Sequence, residues 1–465
     1  MKKTVLLALA LTSAAAISAQ EKSTNPAVTS WMINTTGLTG SHYVTGNSTP
    51  ISDSYDANVQ QVEYSNNYSY ISASGIPAYT VGPYQDGNPS QATDNSFIFK
   101  IPLNPTENTG TLTETEMGTI GVFINGVSMY DYRDGVSYSL SSGADAGGPL
   151  GGNGDEVWNR DAIVAENEGF DCSKGHPSPI FSGGPPPQGT LSGGHYHHHQ
   201  NPSAFNLDLV EVSDVCDLYV SDGLYVIDST QHSPLLGYAF DGFPVYGPYG
   251  YANANGTGGI KRIQSSYQLR TNMTQRTHYY DGTDVTDGPD VSSTYPLGYY
   301  REDYEFNTSL GDLDEHNGRF CVTPEYPAGI YCYFATVDEN WNSAFPYMVG
   351  PTYYGNKLGA EVTLITESTT VYNPATASVI DVENVQVNVF PNPASDLIAI
   401  QLMNSNTENF EVRLFDLQGK LISSTMIKQG STIAYFDTKT IYSGQYIVEI
   451  SNEISKTTKK ITVQH

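Results

Sequence analysis

Four of the ten histidines in this 465-residue chain fall within five residues, His195 and His197 to His199, inside the stretch GGHYHHHQNP at 193–202. Imidazole is a common transition-metal ligand, so the spacing of these rings is the first thing to test. A purification tag would be terminal and uninterrupted. This run is internal, broken by Tyr196 and flanked by turn residues. Read as a strand, it puts His195, His197 and His199 on one face and Tyr196 and His198 on the other. Neighbours on one face stand about 6.6 Å apart along a strand, so two rings can converge on one ion at about 2.0–2.1 Å. His195 and His199 are about twice as far apart and would need a bend to share it. A solvated polar strand is the competing reading; alternation and an acidic setting favour the metal.

Two further histidines are candidate ligands, His176 in KGHPSP and His232 opening HSPLL. Asp241, in AFDGFPVYG, reads equally well as a turn former, because Asp-Gly favours tight turns. His316 lies among Asp312, Asp314 and Glu315, which could raise its pKa instead of joining it at a metal. The four cysteines are Cys172, Cys216, Cys321 and Cys332. An even count in an exported chain is read as disulfides, with three pairings open. In CVTPEYPAGIYC the Pro and Gly residues suit a hairpin joining Cys321 to Cys332. That leaves Cys172–Cys216 to close a loop around the histidine run and tether His176 near it. Standard catalytic signatures are missing: no G-x-S-x-G elbow, no H-E-x-x-H helix, no P-loop. Nothing singles out a glycosidase carboxylate pair, and DGTDVTDGPD lacks EF-hand spacing. Catalytic residues are therefore unassigned.

The elements that must position these groups read as strands. Between Ser30 and about Gly355 there is almost no helical periodicity. Short alternating runs recur instead, such as YSYISAS, NSFIFKIPL, GTIGVFINGVSMY and GLYVIDS, separated by Gly, Pro, Asn and Asp. One short helix is expected, in DAIVAENEG at 161–169. The N-terminus has the anatomy of a secretory signal peptide over 1–19: Lys2 and Lys3, an apolar core, then Ala16-Ile17-Ser18-Ala19, with cleavage after Ser18 or Ala19. No later segment has the roughly 20 apolar residues of a membrane helix. The formal charge is −28 and falls between the two ends, since residues 384–465 carry as many basic as acidic residues. Such a surface excludes nucleic acid and anionic lipid as partners and favours cations. Residues 366–383 read as a Thr/Ser/Asn/Ala linker, and 384–465 as a small β-sandwich of closely spaced strands.

Two resemblances follow from particular blocks. The tail resembles the C-terminal sorting domain of type IX secretion substrates, through Pro391-Asn392-Pro393-Ala394 with Asp396, FDLQGKL at 415–421 and YSGQYIVEI at 442–450. This implies handling by the type IX secretion machinery, removal of the tail, and often attachment to the cell surface. The preceding segment resembles the YHYH-domain family, named for a Tyr-His-Tyr-His motif that stands here as Tyr196-His197-His198-His199. Accompanying blocks include ASGIPAYTVGPY, GTIGVFINGVSMYDYRDG, GFDCSKGHPSP and HSPLLGYAFDGFPVYGPYGY, and the likeness runs over about 64–355. His198 replaces the second Tyr, His195 is an extra histidine, and the gap from His176 to the motif is long. No activity common to the family is implied. His42 and His278 match none of its blocks and are expected at the surface.

The expectation is an all-β protein: a loop-rich YHYH-type domain over 20–365, the linker, then the sorting sandwich. Within it, His197 and His199 would bind one transition metal ion, with His176 third and His232 fourth. Copper comes before zinc, because imidazole suits both and affinity rises toward copper. The rival readings are a metal-dependent copper oxidoreductase and a metal-free adhesive or glycan-binding module that uses the many tyrosines as platforms.

Overall fold

The computed structural model describes residues 23–86, 90–148, 154–184, 188–203, 216, 218–279, 281–373, 387–402, 409–416, 420–452 and 456–465. The signal-peptide segment, most of the linker and residues 417–419 of the FDLQGKL block lie outside them. The described residues are nearly all strand and loop. The chain divides into two compact units, Met1–Tyr372 and Asn373–His465. No helix among the described residues is long and apolar enough to cross a membrane.

The first unit is organised around an eight-stranded mixed sheet. Its strands in chain order are β1 (Thr119–Phe123), β2 (Ser128–Tyr130), β3 (His176–Ser182), β4 (Thr190–His198), β5 (Leu235–Ala239), β6 (Pro244–Tyr246), β7 (Gly318–Cys321) and β8 (Ile330–Phe334). In space they run β3-β4-β2-β1-β5-β6-β8-β7. The β4–β2 and β6–β8 pairs are parallel and the others antiparallel. Ile120, Val122, Phe123 and Met129 of β1 and β2 are fully buried, as are Leu236, Tyr238 and Ala239 of β5. A second sheet of five strands includes Val59–Tyr64, Tyr68–Ala73 and Phe97–Pro102. There Phe97, Phe99 and Ile101 point one way by the two-residue period of a strand, into the core shared with the first sheet. Burial of both sheets against one core fixes the position of β4, and through it the histidine run.

The expected helix forms as α1 (Ala162–Ala165) followed by a 3-10 turn at Asn167–Gly169. Asp161 caps it, its side chain accepting from the Ile163 amide at 2.8 Å. GLYVIDS is not a strand. Its Gly223 and Tyr225 make only isolated bridges to Ser203.

One expected disulfide is present, Cys172–Cys216, with Cα atoms 5.2 Å apart. The other is corrected: Cys321 and Cys332 are buried thiols, Sγ atoms 3.8 Å apart. The hairpin does form, but in its register Cys321 faces Ile330 and Cys332 faces Arg319. The two cysteines are therefore diagonal rather than opposite, at the longer of the two cross-strand spacings.

The second unit has a three-stranded sheet (Val387–Phe390, Leu397–Leu402, Ile433–Asp437) and a four-stranded one (Phe410–Phe415, Leu421–Ile427, Gly444–Ser451, Lys456–Val463). Both bury residues into one core that includes Ile398, Ile400, Val412, Val448 and Ile461.

Candidate metal centre

β3 and β4 form the edge hairpin of the large sheet, and its register sets His176 directly across from His197. His197 pairs on its other side with Ser128 of β2. Strand alternation then sorts the run as expected. Tyr196 and His198 turn to one face, where the Tyr196 hydroxyl donates to Asp171 at 2.9 Å. His198 Nδ1 donates to the Lys174 carbonyl at 3.0 Å, and its Nε2 meets the Tyr79 hydroxyl at 2.7 Å. Both His198 nitrogens are thus occupied within the fold. Burial lowers its pKa to about 3 and keeps it neutral.

On the other face His195 is also engaged, Nδ1 with the Tyr130 hydroxyl at 3.0 Å and Nε2 with Ser128 Oγ at 2.7 Å. His197 and His199 differ. His197 Nδ1 donates to the His195 carbonyl at 2.9 Å, and His199 Nδ1 donates to the Asp131 carbonyl. A carbonyl can only accept, so each Nδ1 carries its proton and each Nε2 of the neutral ring presents a lone pair. Those two Nε2 atoms lie 3.0 Å apart. The Tyr130 ring stacks on His197 at 3.7 Å between centroids, and Phe170 packs on His176 at 4.8 Å, limiting ring rotation.

His176 completes a group of three whose ligand atoms all lie within 4.8 Å of one another. The three residues are only 5 %, 2 % and 3 % exposed, so the group is almost closed to solvent. Among the described residues, His176 has no hydrogen-bond partner besides Glu166. His176 Nε2 lies 3.2 Å from Glu166 Oε2, which is also 3.4 Å from His199 Nε2. Burial opposes charge on His176, yet the Glu166 carboxylate outweighs it and holds the pKa above its ordinary value. Burial, then the neighbouring imidazoles, push His197 well below the ordinary value. His199 is lowered too, chiefly by burial.

His232 is not part of this group. Its Nδ1 donates to the Ser233 carbonyl at 2.8 Å, and its ring packs near Tyr246 and Tyr251. The reason is topological. His232 leads into β5, which is separated from β4 by β2 and β1, so three strand spacings of roughly 4.8 Å intervene. Asp241 is buried and accepts from Tyr333, Gly355 and Phe243, a turn-bracing role. His316 is buried with Nδ1 on Thr352, and His278 is exposed. His42 is half-buried against Asp53 at 2.7 Å rather than free at the surface. Sequence reasoning missed Glu166 and Tyr130. The Asp161 cap, which fixes where the helix starts, was the available signal for Glu166.

A family model described as YHYH protein matches residues 98–346, more than half of the chain and every histidine of the group. The chain belongs to the YHYH family. The family model for a secretion system C-terminal sorting domain matches residues 388–464. The YHYH domain therefore travels with a sorting tail handled by type IX secretion, and the protein is of the secreted or cell-surface kind. No curated protein matches. Among solved structures, a DUF3244 family protein with an immunoglobulin-like β-sandwich fold from Bacteroides vulgatus is similar at 18 % identity. It covers 18 % of this chain and 88 % of its own, with a TM-score of 0.16.

Proposed function

We propose that this YHYH protein is exported, attaches to the cell surface, and binds one transition metal ion through His176, His197 and His199. The observation that carries the reading is the pair of Nε2 atoms 3.0 Å apart, each with its Nδ1 proton committed to a backbone carbonyl. Two buried lone pairs at that distance repel unless a cation lies between them. A proton is disfavoured, because burial depresses the pKa of both rings. A metal ion is the remaining cation, and backbone acceptors on the far nitrogens are the usual outer support of metal-bound imidazole. Three imidazoles suit copper first, by its higher intrinsic affinity, and zinc second.

Near-closure of the group favours binding or a structural role over turnover of a large substrate. The adhesive reading loses support because many tyrosines, among them Tyr132, Tyr196, Tyr238, Tyr246, Tyr300 and Tyr333, are fully buried.

Metal analysis of protein purified without a nickel column should find about one copper or zinc per chain. The double replacement His197→Ala with His199→Ala should abolish it. Wild-type affinity in that double variant would overturn the reading.

A further inference from the structure

We propose that Glu166 is the fourth ligand and makes the site selective for a divalent ion over cuprous copper; this rests on the three-histidine reading above. Glu166 is placed by backbone geometry. Its amide donates to the Ala162 carbonyl at 2.9 Å, closing α1, and its carbonyl accepts from Gly169 at 2.7 Å, closing the 3-10 turn. Its Oε2 then stands 3.2 Å from His176 Nε2 and 3.4 Å from His199 Nε2. Ligand atoms at about 2.0–2.1 Å from a tetrahedral ion are roughly 3.3–3.4 Å from one another. The carboxylate therefore already spans two edges of such a tetrahedron.

Among the described residues, no donor other than the two facing histidines reaches this oxygen. Glu166 Oε2 is buried, and what it faces are the Nε2 atoms of His176 and His199, which can donate to it only when one of those rings is protonated there. Once His176 is neutral, a buried carboxylate oxygen and a buried imidazole lone pair face each other, which is costly and which a shared ion relieves. Glu166 is not one of the group of three, so the ion draws the carboxylate inward. It has the room: its side chain is 25 % exposed, against 7 % for His176 and 3 % for His199.

Selectivity follows from charge and donor type. Attraction between a carboxylate and a divalent ion is twice that for a monovalent one at the same distance. An oxygen donor also suits hard ions, while cuprous copper prefers thiolate and thioether. Three neutral imidazoles alone would discriminate far less.

The test is Glu166→Gln in the full exported chain, with Zn²⁺ and Cu⁺ affinities measured by competition with chelators of known affinity. Zinc affinity should fall roughly tenfold or more, with a much smaller change for Cu⁺. Cobalt substituted into the variant should show an altered visible spectrum, since one ligand has changed. Glu166→Asp, which keeps the charge, should retain preference for zinc over Cu⁺. Thermal unfolding of the metal-free variants separates misfolding from ligand loss. Equal losses for both ions, or an unchanged cobalt spectrum in a folded Glu166→Gln, would overturn the assignment. If wild type binds neither ion stoichiometrically, the histidine reading fails instead.

Discussion

His176 differs from its two partners in the direction of its pKa, and that difference has a measurable sign. His197 and His199 are depressed and already neutral near pH 7, the form a metal needs. His176 is raised, with the Glu166 carboxylate overcoming burial, so it is the last of the three to lose its proton as pH rises. Metal affinity should therefore climb through a pKa above the ordinary value of about 6.5, with a proton released on binding below it. The metal-free fold moves oppositely. A raised folded pKa stabilises below the unfolded value, and that contribution is lost as pH rises through the folded one. Calorimetry in buffers of different ionisation enthalpy should detect the released proton; an affinity flat between about pH 5 and about pH 8 would contradict it. At this scale the sequence was half legible. Alternation paired His197 with His199, the conjectured loop added His176, and the fold brings these three rings together. His232 misled because nothing local to it encodes the two strands that intervene, and Glu166 was signalled only indirectly, through the Asp161 cap, because its position depends on where a one-turn helix ends.

The β3–β4 hairpin is held in place by a turn with little tolerance. Asp171 accepts from the amides of Ser173 and Gly175 at 2.9 and 3.1 Å, and from the Gly82 amide at 2.8 Å. Gly175 then passes directly against the first tyrosine of the motif. A Cβ there would lie 2.4 Å from Tyr196 Oη and 2.8 Å from His198 Cε1. Gly175→Ala should therefore cost about 1–3 kcal/mol, as overpacking does, and should weaken metal binding by shifting His176 one residue on. Urea denaturation with metal titration checks both. A variant as stable and as tight as wild type would show that the turn gives way easily. Elements themselves were well marked in the sequence, including the capped helix and the strands of β1 and β2. The failures, GLYVIDS and the Cys321–Cys332 bridge, come from register and tertiary pairing, which periodicity does not carry.

At the scale of the whole molecule, the charge and the cores tell the same story of two units. Nearly all of the net negative charge lies in the first, while residues 384–465 balance. Each unit buries its own apolar cluster. The division between them falls within the stretch expected as a linker. Protein recovered from the native cell surface should therefore lack the residues after about 384, and mass spectrometry should find a C-terminus inside 366–387. Intact chains ending at His465 would count against processing of the tail. The acidic first unit should concentrate cations near the site without choosing among them, leaving selection to the donor set.

The Cys172–Cys216 bridge closes a ring of sequence separation 44 that contains His176, His197 and His199 but not Glu166. When the fold opens with the bridge intact, the three imidazoles stay at high effective concentration, since loop-closure entropy grows only slowly with ring size. On the proposed three-histidine reading the unfolded chain would itself chelate, and a ligand that also binds the unfolded state stabilises the native one by less than its affinity suggests. The ion would survive cycles of unfolding that release it from a linear chain, and Glu166 would be the contact broken and remade each time.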